Sequence, residues 1–417
     1  MTYKTIINQL NKHLFQLMVL DETHALIFGA IGTGKTTLIK NSLENVPQDY
    51  AVVVFDIAGS YEGYTDYHAP YPLNPLDFLS DMEFLDVLDE VLTMRFPKLS
   101  YATTTPAMAY MFMNAYNALT QQTGEGQEQQ ETQPQQQAKP SVSITDIIKY
   151  LSDAVRSGAI AREDEVNSAR GLIRRLSYFN HWVFRQTHPL INRILKGELR
   201  GRSIGIDLRW LSPVQRWFYV LSFLAVANAV DVRNVIFVID EAHLYFRLGE
   251  STLTFSVRVG RNYRRYFALI TQSIYDVPDE FISMNKLFIQ FPTMFHKPEN
   301  VLFREAGFKA YYGRNKFYDV AENLTLMYPP HWSQPHTALV FLHITNKQLL
   351  EMTAEKRPYY ELMLTVDPAT PPKPLATTLR QCAESHGVDP EEIREYGFTA
   401  RRSPERIAGV WECIGTP

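Results

Sequence analysis

The stretch Gly29-Ala30-Ile31-Gly32-Thr33-Gly34-Lys35-Thr36 constrains this chain more than any other. It satisfies the pattern G-x-x-x-x-G-K-[ST] at every defined position. Ala25-Leu26-Ile27-Phe28 before it reads as a short buried strand, and a helical run begins with Thr37-Leu38-Ile39-Lys40 after it. Strand, glycine-rich turn and helix in that order are what a phosphate-binding loop requires. The glycines let backbone N–H groups converge on phosphate oxygens, and the helix N-terminus adds the positive end of its dipole. Gly29, Ala30, Ile31, Gly32, Thr33, Gly34, Lys35, Thr36 and Thr37 are the expected cradle. Lys35 would reach the β- and γ-phosphates and the Thr36 hydroxyl would hold Mg²⁺. The expected cofactors are therefore ATP and Mg²⁺. A chance glycine-rich turn before a helix is the competing reading, and the agreement of an eight-residue pattern with its flanks argues against it.

With 417 residues, 45% of them apolar, the chain can build one large core with insertions or two domains. The formal charge of −4 does not announce a nucleic-acid partner, so any such contact must be local. Cys382 and Cys413 lie far apart and suggest neither a metal site nor a disulfide framework; they suit a reducing compartment. The longest apolar run, Trp217 to Val230, is interrupted by Ser222 and Asn228 and falls short of the ~20 residues that span a bilayer. The first 20 residues read as an amphipathic helix and not as a signal peptide. A cytoplasmic protein is expected, recruited to a membrane only through a partner.

Strand and helix signals alternate from residue 22 to 78. Ala51-Val52-Val53-Val54-Phe55 reads as a strand buried on both faces, ending in Asp56. Residues 80–119 read as helical, with Phe84, Leu85, Leu88, Val91 and Leu92 at helix spacing. Gln121 to Gln137 is rich in Gln, Glu, Thr and Gly, too polar to bury apolar area, and is expected as a disordered loop. Ser143-Ile144-Thr145-Asp146 reads as a capping box with Asp in place of Glu, opening helical signals that run to about Leu195. Later strands are expected at 203–208, 235–239, 266–271, 286–291 and 337–343, with a helix over 214–230. Alternating strands and helices predict an α/β fold with a mainly parallel sheet. The expected division is a nucleotide-binding α/β core in two parts, 1–79 and 200–350, an inserted helical region over 80–199, and a C-terminal extension over 351–417. In that extension Asp389-Pro390-Glu391-Glu392 reads as a helix start; the tail packs on the core or recruits a partner.

A phosphate cradle binds nucleotide; hydrolysis needs more. The buried run Val235 to Ile239 enters Asp240-Glu241-Ala242-His243. Asp240 at the strand end would orient the Mg²⁺ shell, and Glu241 would polarise the attacking water. Both fall where nucleotides sit in such sheets, at the carboxyl ends of the strands. A strand ending in solvated acids is the plainer reading. His243 either couples the site to a neighbour or begins the next turn. Asp-Glu-Ala-His is also a helicase signature, but here ~200 residues separate it from the phosphate loop and no second lobe follows. Arg258, Arg261, Arg264 and Arg265 then crowd eight positions. They are either a solvated basic face or a charge meant for phosphate, with Arg264 and Arg265 equally able to meet DNA. Gln272, ending the next strand, could sense a γ-phosphate.

Taken together these residues resemble the HerA–FtsK superfamily of DNA-pumping ATPases. The likeness lies nearest the conjugative branch of TraG-like coupling proteins and type IV secretion ATPases. It is carried by Gly29 to Thr37, Phe55-Asp56-Ile57-Ala58-Gly59-Ser60-Tyr61, Leu73-Asn74-Pro75-Leu76-Asp77-Phe78, Val238 to His243, Gly260-Arg261 and Thr271-Gln272-Ser273. The resemblance implies a RecA-like core assembled as a ring, usually a hexamer, with ATP between subunits and DNA in the pore. It maps a trans-acting arginine onto Arg261 and a sensor glutamine onto Gln272. The chain departs from HerA in having no room for a β-barrel before Ala25, and from many coupling proteins in having no membrane-spanning helix. The expected function is an ATP-driven DNA translocase in conjugation, DNA uptake or export, or genome packaging. The alternative is a non-translocating ATPase that powers assembly of a pilus or secretion complex. Expected partners are DNA, further copies of the chain, and a membrane, secretion, pilus or capsid component.

Overall fold

The computed structural model describes residues 3–97, 103–125, 141–246, 251–272, 277–291, 336–343, 359–397 and 404–415. Of the Gln-rich segment expected as a disordered loop, residues 121–125 end a helix that begins at Pro106, and the rest lies outside the described residues. The chain divides into two compact units.

The first unit comprises Met1–Ala69, Lys196–Arg209 and Val232–Gln381. It holds helices α1 (Tyr3–Asn8), α2 (Leu10–Leu20) and α3 (Lys35–Ser42), and the whole sheet. The strands are β1 (Ala25–Phe28), β2 (Ala51–Asp56), β3 (Tyr67–Ala69), β4 (Arg202–Asp207), β5 (Val235–Ile239), β6 (Arg265–Thr271), β7 (Leu287–Gln290), β8 (Thr337–His343), β9 (Tyr359–Thr365) and β10 (Thr377–Thr378). Their order is β10-β3-β4-β2-β5-β6-β1-β7-β8-β9. All pairings from β10 through β7 are parallel, and β8 and β9 add an antiparallel edge.

Every residue of β1, β2, β5, β6 and β7 is buried, as continuous apolar runs require in a sheet covered on both faces. On one face α1, α2 and α3 supply Ile6, Leu10, Leu14, Phe15, Leu38 and Ile39 to a core with Val52, Val54, Ile236 and Ile270. Parallel pairing also places all the central strand ends on one side: Phe28, Asp56, Asp207, Ile239 and Thr271 finish their strands together. Helix α10 (Thr252–Gly260) and the short helix α11 (Asp279–Met284) complete this unit's described central elements.

The second unit comprises Pro70–Leu195, Trp210–Asp231 and Cys382–Pro417. It is helical: α4 (Asp81–Arg95), α5 (Pro106–Glu125), α6 (Ile144–Ser157), α7 (Glu163–Leu176), α8 (Pro189–Leu195) and α9 (Pro213–Ala229). The C-terminal helices are α12 (Leu379–Ser385, which straddles the division), α13 (Pro390–Tyr396) and α14 (Pro404–Gly415). The starts follow the capping residues. Ser80 pairs with Glu83, Ser143 with Asp146, and Ser212 with Gln215 in reciprocal capping boxes, while Asp389 caps α13 with Pro390 in its first turn.

This unit reaches beyond the 80–199 insertion that the sequence suggests. Helix α9 buries residues around most of its circumference, Phe218, Tyr219, Leu221, Phe223 and Leu224 among them, and a helix apolar all round needs cover on every side. The tail packs here as well: Trp411 meets Trp182 edge-on at 5.7 Å, and the Trp182 indole donates to the Arg394 carbonyl at 3.0 Å. Cys382 and Cys413 are joined in a disulfide, with their Cα atoms 5.8 Å apart. That corrects the expectation of no bridge, since only the packing of α12 beside α14 brings together residues 31 positions apart.

Candidate nucleotide site at the strand ends

β1 lies between β6 and β7 and delivers the glycine loop at its carboxyl end. Gly29 has φ +155°, and a Cβ there would lie 2.5 Å from the Phe291 Cβ, so only glycine lets the chain leave the strand at this point. Gly34 has φ +114° as the residue before α3. Gly32, with φ +77°, has nothing within 4 Å of where a Cβ would stand, which leaves the hollow of the loop open. Helix α3 begins at Lys35, so the backbone N–H groups of its first turn face that hollow with no partner inside the helix.

Lys35 is buried, and its ammonium donates to the carbonyls of Gly29 (2.6 Å) and Ala30 (2.8 Å). The cation folds back along its own loop. Burial lowers its pKa, against the pull of the Asp240 and Glu241 charges, so the three groups share one electrostatic environment.

Asp240 and Glu241 leave the end of β5. The Asp240 Oδ1 accepts the Glu241 backbone N–H at 2.9 Å, and its Oδ2 accepts the Tyr61 hydroxyl at 3.0 Å. Burial raises the Asp240 pKa; the Tyr61 hydrogen bond opposes that, and the Glu241 charge reinforces it. Glu241 itself sits in the left-handed region at φ +53°, ψ +44°. Side chains with a Cβ rarely adopt that conformation, and it aims this carboxylate. Both Glu241 oxygens accept from Gln272 Nε2, each at 3.1 Å. The pairing of β5 with β6 makes this contact, because Gln272 follows the last residue of β6 just as Glu241 follows β5. The His243 ring begins the next turn and stands 3.3 Å from Glu241 Oε2.

The structure thus assembles Lys35, Asp240, Glu241 and Gln272, with Thr36 next to Lys35 in the first turn of α3. Arg261 is not among them. It is exposed in the turn that precedes β6, where its guanidinium donates to the Met284 carbonyl at 3.3 Å. β6 is seven residues long, so this turn lies roughly 20 Å from the Gln272 end. The other arginines do not form one exposed basic face. Arg265 is only 2% exposed, with Tyr263 stacked 4.4 Å away, which removes it as a DNA contact. Arg264 donates to the Tyr50 hydroxyl at 3.1 Å, and Arg258 lies 3.7 Å from Glu280.

Several residues around the site were not singled out for a role in the sequence. Asp56, buried at the end of β2, accepts the backbone N–H groups of Gly59, Ser60 and Tyr61, and faces His68 Nε2 at 2.9 Å. Its register partner Asp207 takes a fork from Arg209 at 2.9 and 2.7 Å, and Arg209 also reaches Glu62 at 3.1 Å. A carboxylate at a strand end followed by Gly59 is the one local signal of this arrangement. Asn74 of the Asn-Pro-Leu stretch belongs to the helical unit. Its buried amide donates to Asp77, Ser141 and the Val142 carbonyl, and its oxygen caps the turn Pro75–Asp77. That stretch is a structural clasp, outside the nucleotide site.

The donor set suits a nucleotide with a hard cation. Among the described residues no group of three or more His, Cys, Asp or Glu side chains could hold a metal alone. Mg²⁺ is commonly held by one or two protein oxygens together with phosphate oxygens, and Thr36 with Asp240 supply that kind of partial shell.

The sheet order, the glycine loop on β1 and the acidic pair on β5 define a RecA-like P-loop NTPase. Residues 17–90 match a family model described as the type IV secretion-system coupling protein DNA-binding domain. The bacterial conjugative coupling protein TrwB bound to a non-hydrolysable GTP analogue is similar over 85% of this chain and 88% of its own, with 12% identity and a TM-score of 0.52. Its unbound monoclinic form gives the same identity and coverage, with a TM-score of 0.51. VirB4 of Thermoanaerobacter pseudethanolicus is 13% identical over 83% of this chain and 89% of its own, with a TM-score of 0.48. No curated protein matches the sequence. The chain has the P-loop NTPase fold, and its residues 17–90 are similar to the coupling-protein family.

Proposed function

We propose that this protein hydrolyses ATP with Mg²⁺ and, as a ring of identical subunits, drives DNA through its pore in DNA transfer or packaging. The observation that carries the proposal is the clamp of Gln272 on both oxygens of Glu241, beside Asp240 and the glycine loop. Mere nucleotide storage has no need of a carboxylate aimed by a left-handed backbone and held by an amide. A base for water does, because its lone pairs must point at one place. Gln272 can release Glu241 when a γ-phosphate takes its N–H groups, which makes the amide a reporter of nucleotide state.

In this reading the loop N–H groups and Lys35 bind the phosphates, once the ammonium leaves the Gly29 and Ala30 carbonyls. Thr36 and Asp240 hold the cation, whose chemistry is to draw charge from the β- and γ-phosphate oxygens. Glu241 accepts the proton of the attacking water. Arg261, too far from its own site, serves the site of the next subunit, which is the support for a ring. The matched coupling-protein segment supports DNA as the polymer. No helix among the described residues is long and apolar enough to cross a membrane.

The deciding experiment is steady-state ATP turnover with and without single-stranded and duplex DNA, over a range of salt. Stimulation that fades as salt rises is expected, since phosphate contacts are lost through counterion release. Turnover indifferent to both DNAs, with no salt-dependent binding, would remove DNA and leave an ATPase that works on protein partners.

A further inference from the structure

Tyr61 is the buried group of the site that the chemistry above does not use. Its side chain is fully buried, and its hydroxyl donates to Asp240 Oδ2 at 3.0 Å. A phenol carries one proton, and here it goes to the Asp240 carboxylate.

The other end of the residue is fixed as firmly. The Tyr61 backbone N–H donates to Asp56 Oδ2 at 2.9 Å, and Gly59 and Ser60 donate to Oδ1 at 2.7 and 3.0 Å. His68 holds the same Asp56 oxygen at 2.9 Å. The turn needs only a backbone at position 61, and packing needs only a ring. Neither explains the hydroxyl. A buried phenol without partners is costly, and this one is engaged with Asp240, which offers an oxygen to a cation.

We propose that Tyr61 is a positioning residue for the nucleotide-bound cation, orienting the Asp240 carboxylate toward it. Asp240 Oδ1 is tied to the Glu241 N–H and Oδ2 to the phenol, so the carboxylate plane cannot turn. This inference rests on the Mg²⁺–nucleotide reading of the site.

The test is binding of a fluorescent ATP analogue to the full chain, first in EDTA and then titrated with Mg²⁺, for wild type and Tyr61→Phe. Affinity in EDTA is expected to stay within about twofold. The Mg²⁺ concentration at half effect is expected to rise by about 10–100-fold, the usual consequence of losing a residue that orients a metal ligand. Excess Mg²⁺ should restore the wild-type affinity, which a merely structural role would not allow. Equal Mg²⁺ responses in the two proteins overturn the proposal, as does an equal loss of affinity with and without Mg²⁺. Tyr61→Leu is the second variant; loss of fold in both makes the hydroxyl a folding requirement and also overturns it. A wild type that binds no nucleotide sinks the ATPase reading and this inference with it. A wild type that binds beside an indistinguishable Tyr61→Phe sinks the inference alone.

Discussion

The two ends of the parallel sheet are built to opposite rules. At the carboxyl ends, polar groups satisfy one another: Lys35 on Gly29 and Ala30, Glu241 on Gln272, Asp240 on Tyr61. At the amino ends, Arg261 is exposed and holds only a carbonyl at 3.3 Å, and the charges of Arg261 and Lys286 both act on buried His24. The first end gathers its charged groups into one network, and the second leaves the Arg261 cation exposed. Strand direction accounts for the difference, because parallel strands put every carboxyl end on one side and send each return helix back to the other. An arginine at the amino ends stands far from the glycine loop of its own chain, so in the proposed ring it would serve a neighbour.

The sharpest way to break that comparison is Arg261→Ala. If this guanidinium completes a neighbour's site, turnover should fall by about 10³–10⁵-fold while nucleotide binding stays intact. Mixing the variant with Lys35→Ala chains should return part of the activity, because some interfaces then pair an intact Arg261 with an intact loop. Steady-state turnover across mixing ratios reads the outcome, and a mixture with no rescue at all would count against a site shared between subunits. At the other end, Glu241→Gln should cost about 10²–10⁴-fold in turnover and leave analogue affinity unchanged. A fully active variant would remove Glu241 as the base.

The smallest effect concerns His24, immediately before β1. Burial, with the Arg261 charge beside it, lowers its pKa to about 3. An unfolded histidine titrates near 6.5, so between about pH 6.5 and 3 the unfolded chain binds the proton that the folded chain refuses. Stability should therefore fall as pH drops through that window, by at most about 1.4 kcal/mol per pH unit from this group. His24→Asn keeps an acceptor for the Phe267 N–H, now bonded to His24 Nδ1 at 3.1 Å. Urea melts at pH 7 and 5 should show a shallower acid loss for His24→Asn; an unchanged slope would mean that His24 takes up its proton without penalty.

Local pattern carried much of the site. Gly29 to Thr36, Asp240-Glu241 and Gln272 were legible because each marks the end of a buried strand, and strand ends are written in neighbouring residues. The capping boxes at Ser143 and the Asp389-Pro390 start were legible for the same reason. Tyr61 was not: 179 positions separate it from Asp240, and nothing in a Gly-Ser-Tyr turn names a distant carboxylate. The short strands β3 and β10 and the late strand β9 also escaped notice, the first two because two or three residues cannot show an alternation. Asn74 read as a family mark and proved to be a clasp within the helical unit.

By itself the sequence determined the class of fold and the loop into which a nucleotide would fit. A glycine-rich turn between an apolar strand and a helix has few ways to fold, and the hydrogen-bonding needs of its backbone fall within a dozen residues. Only the tertiary structure decided what surrounds that loop. Strand order put Glu241 beside Gln272, register set Asp56 beside Asp207, and the polarity of β6 carried Arg261 away from its own site. Those relations depend on contacts between residues far apart in the chain, where the energy of pairing and burial, and not local preference, chooses the neighbours.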